Sequence, residues 1–147
     1  MTDFRFTVEA TSAAPPDKVF AILADAPRWK DWAGPMIRES SWDRTGDPAP
    51  GGVGAVRKLG AKPVYAYEEI LEYDPPRALS YTIRSGQPVR NHRADVELTP
   101  AGGGTHIVWS SRFEPKLAGT GSVLRWFLRR VVSGLARRLA RYAERSM

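Results

Sequence analysis

The chain has 147 residues, of which 42% are hydrophobic and 26% charged, and it contains no cysteine. This composition is typical of a globular protein and predicts one domain, residues 1–147, while the lack of cysteine excludes disulfide and thiolate chemistry. The formal net charge is +6 at pH 7, and residues 118–147 carry seven arginines against one glutamate, so that segment holds the whole excess.

The first residues, MTDFRFTVEA, lack the basic segment followed by an apolar run that marks a signal peptide. No apolar stretch approaches the roughly 18 residues that a membrane span needs. Together with the absence of cysteine, these features predict a cytoplasmic protein.

The first half of the chain predicts one strand and two short helices. Phe4, Phe6 and Val8 alternate with polar neighbours, which indicates a half-buried strand. The segment PPDKVFAILAD predicts a helix, because prolines suit a first turn and its apolar residues recur at helical spacing. APRWKDWAG predicts a second short helix with Trp29 and Trp32 on one side. MIRESSW is a candidate short strand, and DRTGDPAPGG, rich in Gly, Pro and Asp, indicates a loop.

From Gly51 to Pro115 the pattern predicts an antiparallel meander, and turn positions predict which residues lie opposite each other. The predicted pairs are Arg57 with Glu68, Glu68 with Ile83, Ile70 with Tyr81, Glu72 with Leu79, Ile83 with His92, Tyr81 with Ala94, Leu79 with Val96, Val96 with Trp109, Ala94 with Ser111 and His92 with Phe113. These registers place the apolar residues on one face, which must therefore be the inner face. A slip of one residue would invert a strand, so the agreement across four strands supports the registers.

The last predicted element is a long helix. Its apolar stripe runs through positions 124, 127, 128, 131, 135, 139 and 142. We expect this stripe to lie on the concave face of the sheet, with Gly134 either packed closely or leaving space for a ligand. The expected fold class is therefore α+β: a curved antiparallel sheet wrapped around a long C-terminal helix, with two short helices after the first strand.

This order of elements resembles the helix-grip fold of the START-like (SRPBCC, Bet v 1-like) superfamily. More narrowly, it is similar to the polyketide cyclase/dehydrase-type family. The residues that carry the resemblance are PPDKVFAILAD, the segment with Trp29 and Trp32, GVGAVR, EEILEYDPPRALSYTI, and VELTPAGGGTHIVW followed by FEP. The resemblance implies a cavity for hydrophobic or aromatic small molecules between sheet and helix. Some members cyclise polyketides, but the family name implies no shared catalytic residues.

Four polar groups fall on the predicted inner face: Arg57, Glu68, His92 and Ser111. Arg57 and Glu68 form either a ligand-orienting pair in a cavity or a structural ion pair near the rim. His92 is a candidate general base or hydrogen-bonding group, or a partly exposed residue without a catalytic role. Ser111 lacks a nucleophile-elbow setting. The candidate catalytic residues are therefore His92, Arg57 and Glu68.

Aromatic and aliphatic residues complete the predicted binding site, as either a ligand shell or a filled core. With the polar groups, the candidate ligand-binding residues are Trp29, Trp32, Arg57, Glu68, Ile70, Tyr81, Ile83, His92, Trp109, Ser111, Phe113, Phe127 and Val131. No metal site is predicted, because the two histidines fall on opposite faces. No cofactor is predicted either, since GGVGAVR lacks the lysine and helix start of a phosphate loop.

The arginines of the last helix predict either a solvated face or a binding surface. Arg125, Arg129, Arg137 and Arg141 recur at helical spacing, so weak contact with an anionic membrane is one expectation. Nucleic acid is a weaker expectation, because no aromatic residue lies among the later arginines. We expect a monomer or a homodimer.

These observations lead to three functional hypotheses. The first is binding of a small hydrophobic, aromatic or lipid-like molecule between the sheet and the last helix. The second is a cyclase or dehydratase that uses the same pocket. The third is an interaction module that uses the arginine-rich helix.

Overall fold

Residues 3–146, which the computed structural model describes, form a seven-stranded antiparallel sheet and three α-helices. The strand order is β1-β7-β6-β5-β4-β3-β2. The strands are β1 (Phe4–Ser12), β2 (Glu39–Arg44), β3 (Val56–Ala61), β4 (Val64–Asp74), β5 (Ala78–Ser85), β6 (Val89–Ala101) and β7 (Gly104–Pro115). The helices are α1 (Pro16–Leu23), α2 (Trp29–Trp32) and α3 (Gly121–Arg145), and a 3₁₀ turn, Ala26–Arg28, leads into α2. The predicted fold class is confirmed; residues 1, 2 and 147 of the predicted domain lie outside the described residues.

The predicted strand register is confirmed across most of the meander. Arg57 pairs with Glu68, and the β6–β7 register also matches over its central part. The predicted pairing of Glu72 with Leu79 is wrong, because β4 has an irregularity between Ile70 and Glu72 that shifts the register by one residue. Such a bulge adds one residue to one strand, so the residues beyond it change partners.

A second irregularity changes the surroundings of His92. The register of β6 against β7 shifts just before Arg93, where Asn91 has a left-handed φ of 49°. The β5–β6 ladder ends at Tyr81 and Ala94, and the β6–β7 ladder gives His92 no partner, so neither predicted pairing of His92 is a ladder pair. Ile83 and His92 are nevertheless neighbours, since the Ile83 N–H donates to the His92 ring. The turn positions contain no sign of this bulge, because it depends on the backbone conformation of one asparagine.

The buried face of α3 is rotated from the predicted stripe. Phe127, which the stripe includes, is 39% exposed, whereas Val132 is buried. The residues of α3 that are buried against the rest of the protein are Gly121, Leu128, Val132, Gly134, Leu135, Ala136, Leu139, Ala140 and Ala143. The predicted stripe shares Leu128, Leu135 and Leu139 with this face but leaves out Ala136, Ala140 and Ala143, because it was drawn through large apolar residues. The small alanine side chains let the helix lie close to the sheet.

The position of α3 over the sheet leaves space beside it. The helix packs chiefly against β1, β7 and α1. Two hydrogen bonds hold it there: Ser12 Oγ donates to the Ala140 carbonyl at 2.8 Å, and the Ala13 N–H donates to Glu144 Oε2 at 2.8 Å. Because the helix lies toward one edge of the sheet, part of the concave face near β3, β4 and β5 is not covered by it.

Candidate functional site

A cavity of about 370 Å³ lies between the sheet and α3, on the side that the helix leaves uncovered. Most of its lining is apolar: Phe6, Trp29, Ala33, Pro35, Met36, Ile37, Leu59, Gly60, Val64, Ala66, Tyr81, Ile83, Phe127, Leu128, Val131, Val132 and Leu135. The remaining lining residues are Glu68, Gln87, His92, Ser111, Arg130 and Arg138. A mostly apolar wall with a few polar groups is the usual composition of a small-molecule site.

Three exposed apolar residues line the same cavity and mark its mouth. Met36 is 58% exposed, Val64 64% and Phe127 39%. They come from three separate parts of the chain: the segment after α2, the first residue of β4, and α3. The opening is therefore apolar where it meets solvent, as suits the entry of an apolar ligand.

Glu68 carries the acidic charge of the cavity wall, and Arg57 neutralises it from behind. Arg57 Nε donates to Glu68 Oε1 at 2.8 Å. The Arg57 side chain is fully buried, whereas the Glu68 side chain keeps 11% exposure. The pair forms because Arg57 on β3 and Glu68 on β4 are cross-strand neighbours on the inner face.

Two aromatic rings enclose the buried guanidinium of Arg57. Its Cζ lies 4.3 Å from the ring centroid of Trp29 and 4.7 Å from that of Tyr81. Arg57 Nη1 also lies 3.5 Å from the Leu23 carbonyl at the end of α1, where the helix dipole favours a cation. Arg57 Nη2 has no hydrogen-bond partner among the described residues. Cation–π contacts and one strong ion pair thus hold the charge.

Tyr81 joins this pair to the aromatic interior. Its hydroxyl accepts a hydrogen bond from Trp109 Nε1 at 3.1 Å, and the two rings meet edge to face. Burial, reinforced by the nearby charge of Glu68, raises the pKa of Tyr81 above its ordinary value. Tyr81 is therefore a neutral hydrogen-bonding group at physiological pH.

The hydrogen bonds of His92 determine which of its nitrogens carries the proton. The Ile83 N–H donates to Nδ1 at 3.0 Å, so Nδ1 is an acceptor and carries no hydrogen. In the neutral ring Nε2 then holds the proton and donates it to Ser111 Oγ, 3.2 Å away. Burial lowers the pKa of His92 to about 4, which keeps the ring neutral at pH 7.

This arrangement limits the chemistry of His92 and Ser111. A general base needs an unprotonated nitrogen directed at its substrate. The unprotonated nitrogen of His92 is Nδ1, and it already accepts a hydrogen bond from the Ile83 N–H. His92 is also the donor to Ser111, so in this tautomer it does not accept the serine proton as a nucleophilic pair would require. What the pair offers to the cavity is the Ser111 hydroxyl, a neutral hydrogen-bond donor.

The structure divides the predicted site residues into two layers. Eight of them line the cavity: Trp29, Glu68, Tyr81, Ile83, His92, Ser111, Phe127 and Val131. The other five, Trp32, Arg57, Ile70, Trp109 and Phe113, are buried but do not line the cavity. The second layer supports the first, as Arg57 does for Glu68 and Trp109 does for Tyr81.

Sequence reasoning missed several lining residues, for two different reasons. Pro35, Met36 and Ile37 lie in an irregular segment whose residues follow no helical or strand period. Arg130 and Arg138 lie on α3 but off the apolar stripe, and their places depend on the rotation of that helix. The alternation of β1 indicated that Phe6 points inward. It did not indicate that β1 pairs with β7, which is what places Phe6 beside the cavity.

The arginines of α3 are exposed and carry no ion pairs to residues 3–146. Of the four predicted to form a membrane-contacting stripe, Arg137 donates to Ser133 Oγ and Arg125 lies over the Phe4 ring. No helix in the described part of the chain is both long and apolar enough to cross a membrane.

Comparison with known sequences identifies the family. Residues 3–144 match the family described as "Polyketide cyclase / dehydrase and lipid transport". An uncharacterized protein of Mycobacterium bovis and one of Mycobacterium tuberculosis are each 27% identical over 148 aligned residues, covering 96% of this chain and 84% of theirs.

Solved structures show the same fold. Ara h 8.0201 superposes with a TM-score of 0.77 at 23% identity, covering 97% of this chain and 98% of its own. An uncharacterized protein from Bacillus thuringiensis has a TM-score of 0.75 at 18% identity, with coverages of 95% and 98%. The chain therefore belongs to the polyketide cyclase/dehydrase and lipid transport family.

Proposed function

We propose that this protein binds a small hydrophobic molecule in the cavity between the sheet and α3. The observation that carries the proposal is the cavity itself: about 370 Å³, mostly apolar walls and a mouth formed by exposed Met36, Val64 and Phe127. Its volume falls within the roughly 300–1,000 Å³ of small-molecule sites. The family description, which includes lipid transport, supports the same class of ligand.

The polar groups of the wall give this ligand an orientation. Glu68 offers a carboxylate acceptor, held in place by Arg57, and Ser111 offers a hydroxyl donor. A hydroxyl or carbonyl group on the inner part of a ligand would find a matching partner there. Without such a match, burying Glu68 beneath an apolar ligand would cost free energy, so purely hydrocarbon ligands are disfavoured.

Fluorescence titration with the neutral dye N-phenyl-1-naphthylamine tests the proposal. Val131→Trp places a large ring in the cavity and should weaken binding by about tenfold or more. Val123→Trp is the matched control, because Val123 lies on the same helix, is 69% exposed and does not line the cavity. If folded Val131→Trp binds the dye as tightly as the Val123→Trp control, the cavity is not the binding site.

A cyclase or dehydratase reaction is not our proposal, because His92 is the expected base and its ring nitrogens are both engaged. The alternative retains a direct test. If the protein converts a polyketide substrate and His92→Ala abolishes turnover while leaving affinity intact, the enzyme hypothesis stands in place of the carrier hypothesis.

A second candidate function is contact with an anionic membrane surface, from which a lipid-like ligand could enter. The observation that favours it is the exposed apolar group Leu117, Val123 and Trp126 close in sequence to Arg125 and Arg129. Sedimentation with phosphatidylcholine vesicles, with and without phosphatidylglycerol, tests it. Val123→Ser should reduce binding to the anionic vesicles, whereas Val53→Ser, an equally conservative change at another exposed valine, should not. Equal effects of the two changes contradict membrane contact through this group.

A further inference from the structure

We infer that the ligand is an amphipathic anion whose acidic group lies at the cavity mouth against Arg138, with Arg130 nearby and its apolar body inside. The inference rests on the proposed function, and it adds the charge of the ligand and the direction in which it enters. Both arginines line the cavity, and both are exposed.

The guanidinium of Arg138 lies between two glycines. A Cβ on Gly134, one helical turn earlier, would lie 2.8 Å from Arg138 Nη1. A Cβ on Gly34, in the segment after α2, would lie 2.9 Å from Arg138 Cζ. Any other residue at either position would displace this guanidinium. The two glycines thus give an exposed arginine a defined place, which surface arginines ordinarily lack.

Gly134 would otherwise be an unfavourable choice at its position. Glycine within a helix costs about 0.5–1 kcal/mol relative to alanine, and Gly134 lies in the interior of a 25-residue helix. Among residues 3–146, and leaving aside the two chain neighbours and the helix's own nearby backbone, the atoms within 4 Å of an added Cβ all belong to the Arg138 guanidinium. Room for this side chain is therefore the structural use of Gly134; close approach to the sheet is not.

The charges of the cavity favour an acid at the mouth and oppose one inside. At the inner wall the Glu68 carboxylate faces the cavity while its partner Arg57 lies behind it, so a second acidic group there would meet a like charge first. The mouth carries Arg130 and Arg138, and neither is within ion-pair distance of a carboxylate of residues 3–146. A ligand with one acidic end is thus bound in one direction only.

The two arginines do not contribute equally. They are eight residues apart on α3, which separates their Cα atoms by about 12 Å along the helix. The Arg138 side chain bends back over Gly134, where its guanidinium lies beside the backbone. Arg130 itself lies over the ring of Trp126, with 5.6 Å between its Cζ and the ring centroid. Arg138 is therefore the principal contact and Arg130 the secondary one.

Two dyes that differ by one charged group test the inference. N-phenyl-1-naphthylamine is neutral, and 8-anilinonaphthalene-1-sulfonate is the same skeleton with a sulfonate. We expect the protein at low ionic strength to bind the sulfonate about five- to tenfold more tightly than the neutral dye, as one charge-assisted hydrogen-bonded pair would give. Arg138→Gln should remove this preference by weakening binding of the sulfonate more than binding of the neutral dye.

Two further variants test whether the preference for the sulfonate depends on the position of the Arg138 charge or only on the net charge of the helix. Arg137→Gln is the matched control: it removes the same charge from the adjacent residue, which does not line the cavity, and should keep the preference. Gly134→Ala keeps every charge and favours the helix, but it displaces the guanidinium. It should therefore reduce the preference without destabilising the protein.

The outcomes are distinguishable from failure of the proposed function. If neither dye binds, binding of small hydrophobic molecules is itself refuted. If the neutral dye binds and the preference is absent, or survives Arg138→Gln, or is lost equally in Arg137→Gln, the inference is overturned and the proposed function stands. If dodecanoate displaces the neutral dye and dodecanol does not, the ligands are lipid-like acids. If 1-naphthoate displaces it and 1-naphthalenemethanol does not, the ligands are aromatic acids.

Discussion

The buried pair of Arg57 and Glu68 makes the strongest energetic prediction. Replacing Glu68 with Leu removes the one carboxylate that faces a fully buried guanidinium. The remaining contacts of Arg57 are two aromatic rings and one carbonyl oxygen at 3.5 Å. These are poor substitutes for water, so the cation is left largely uncompensated.

The expected loss follows from that burial. Breaking a buried ion pair by removing one partner costs about 3–5 kcal/mol, compared with about 0–1 kcal/mol for an exposed pair. Arg57→Met should cost less than Glu68→Leu, because the methionine fills the space between Trp29 and Tyr81. The carboxylate then left behind still reaches the cavity. The double variant should lie within about 1 kcal/mol of the original protein, since an apolar pair of similar volume replaces the ions.

Urea unfolding at pH 7, followed by tryptophan fluorescence, measures all four proteins of this double-mutant cycle. We expect a coupling free energy of at least about 3 kcal/mol between the two positions. The matched control is Arg77→Met, which removes an arginine from the exposed pair with Asp74 and should change stability by less than about 1 kcal/mol. If Glu68→Leu lowers the free energy of unfolding by no more than this control does, the Arg57 cation is not left uncompensated and the reasoning fails.

Two further predictions concern stability. Because burial lowers the pKa of His92 from 6.5 to about 4, the unfolded chain binds a proton more readily than the folded one. Above pH 6.5 the ring is neutral in both states, so His92 does not reduce the free energy of unfolding. As the pH falls to 4, the unfolded chain takes up a proton that the folded protein does not, and the free energy of unfolding decreases by about 3 kcal/mol. His92→Asn should lack this component in urea unfolding across that range, and an unchanged slope contradicts it. Gly121→Ala should destabilise by about 1–3 kcal/mol, because its Cβ would overlap the Phe4 ring, whereas Ser122→Ala should be nearly neutral. Thermal unfolding compares the two, and equal midpoints would show that the ring moves aside freely.

Strand alternation predicted much of the candidate site. Alternation and turn positions placed Glu68, Tyr81 and Ser111 on one face, and all three line the cavity. The same reasoning could not separate that layer from the one behind it. Arg57 and Trp109 have the same inward direction along their strands, but the cavity ends before it reaches them. Their depth depends on how the helices cover the sheet. The roles of these residues, the expected cytoplasmic location and the single-domain extent stay predictions.

The sequence by itself determined the order of the elements, the inner face of the sheet and the confinement of excess charge to the last helix. These depend on local periodicity and composition, which act over a few residues. Only the tertiary structure decided the rotation of α3 and the position of Arg138 between Gly34 and Gly134. These features arise from contacts between distant segments, since alanine packing sets the helix against β1 and β7, and no local pattern records where two remote glycines leave room for one side chain.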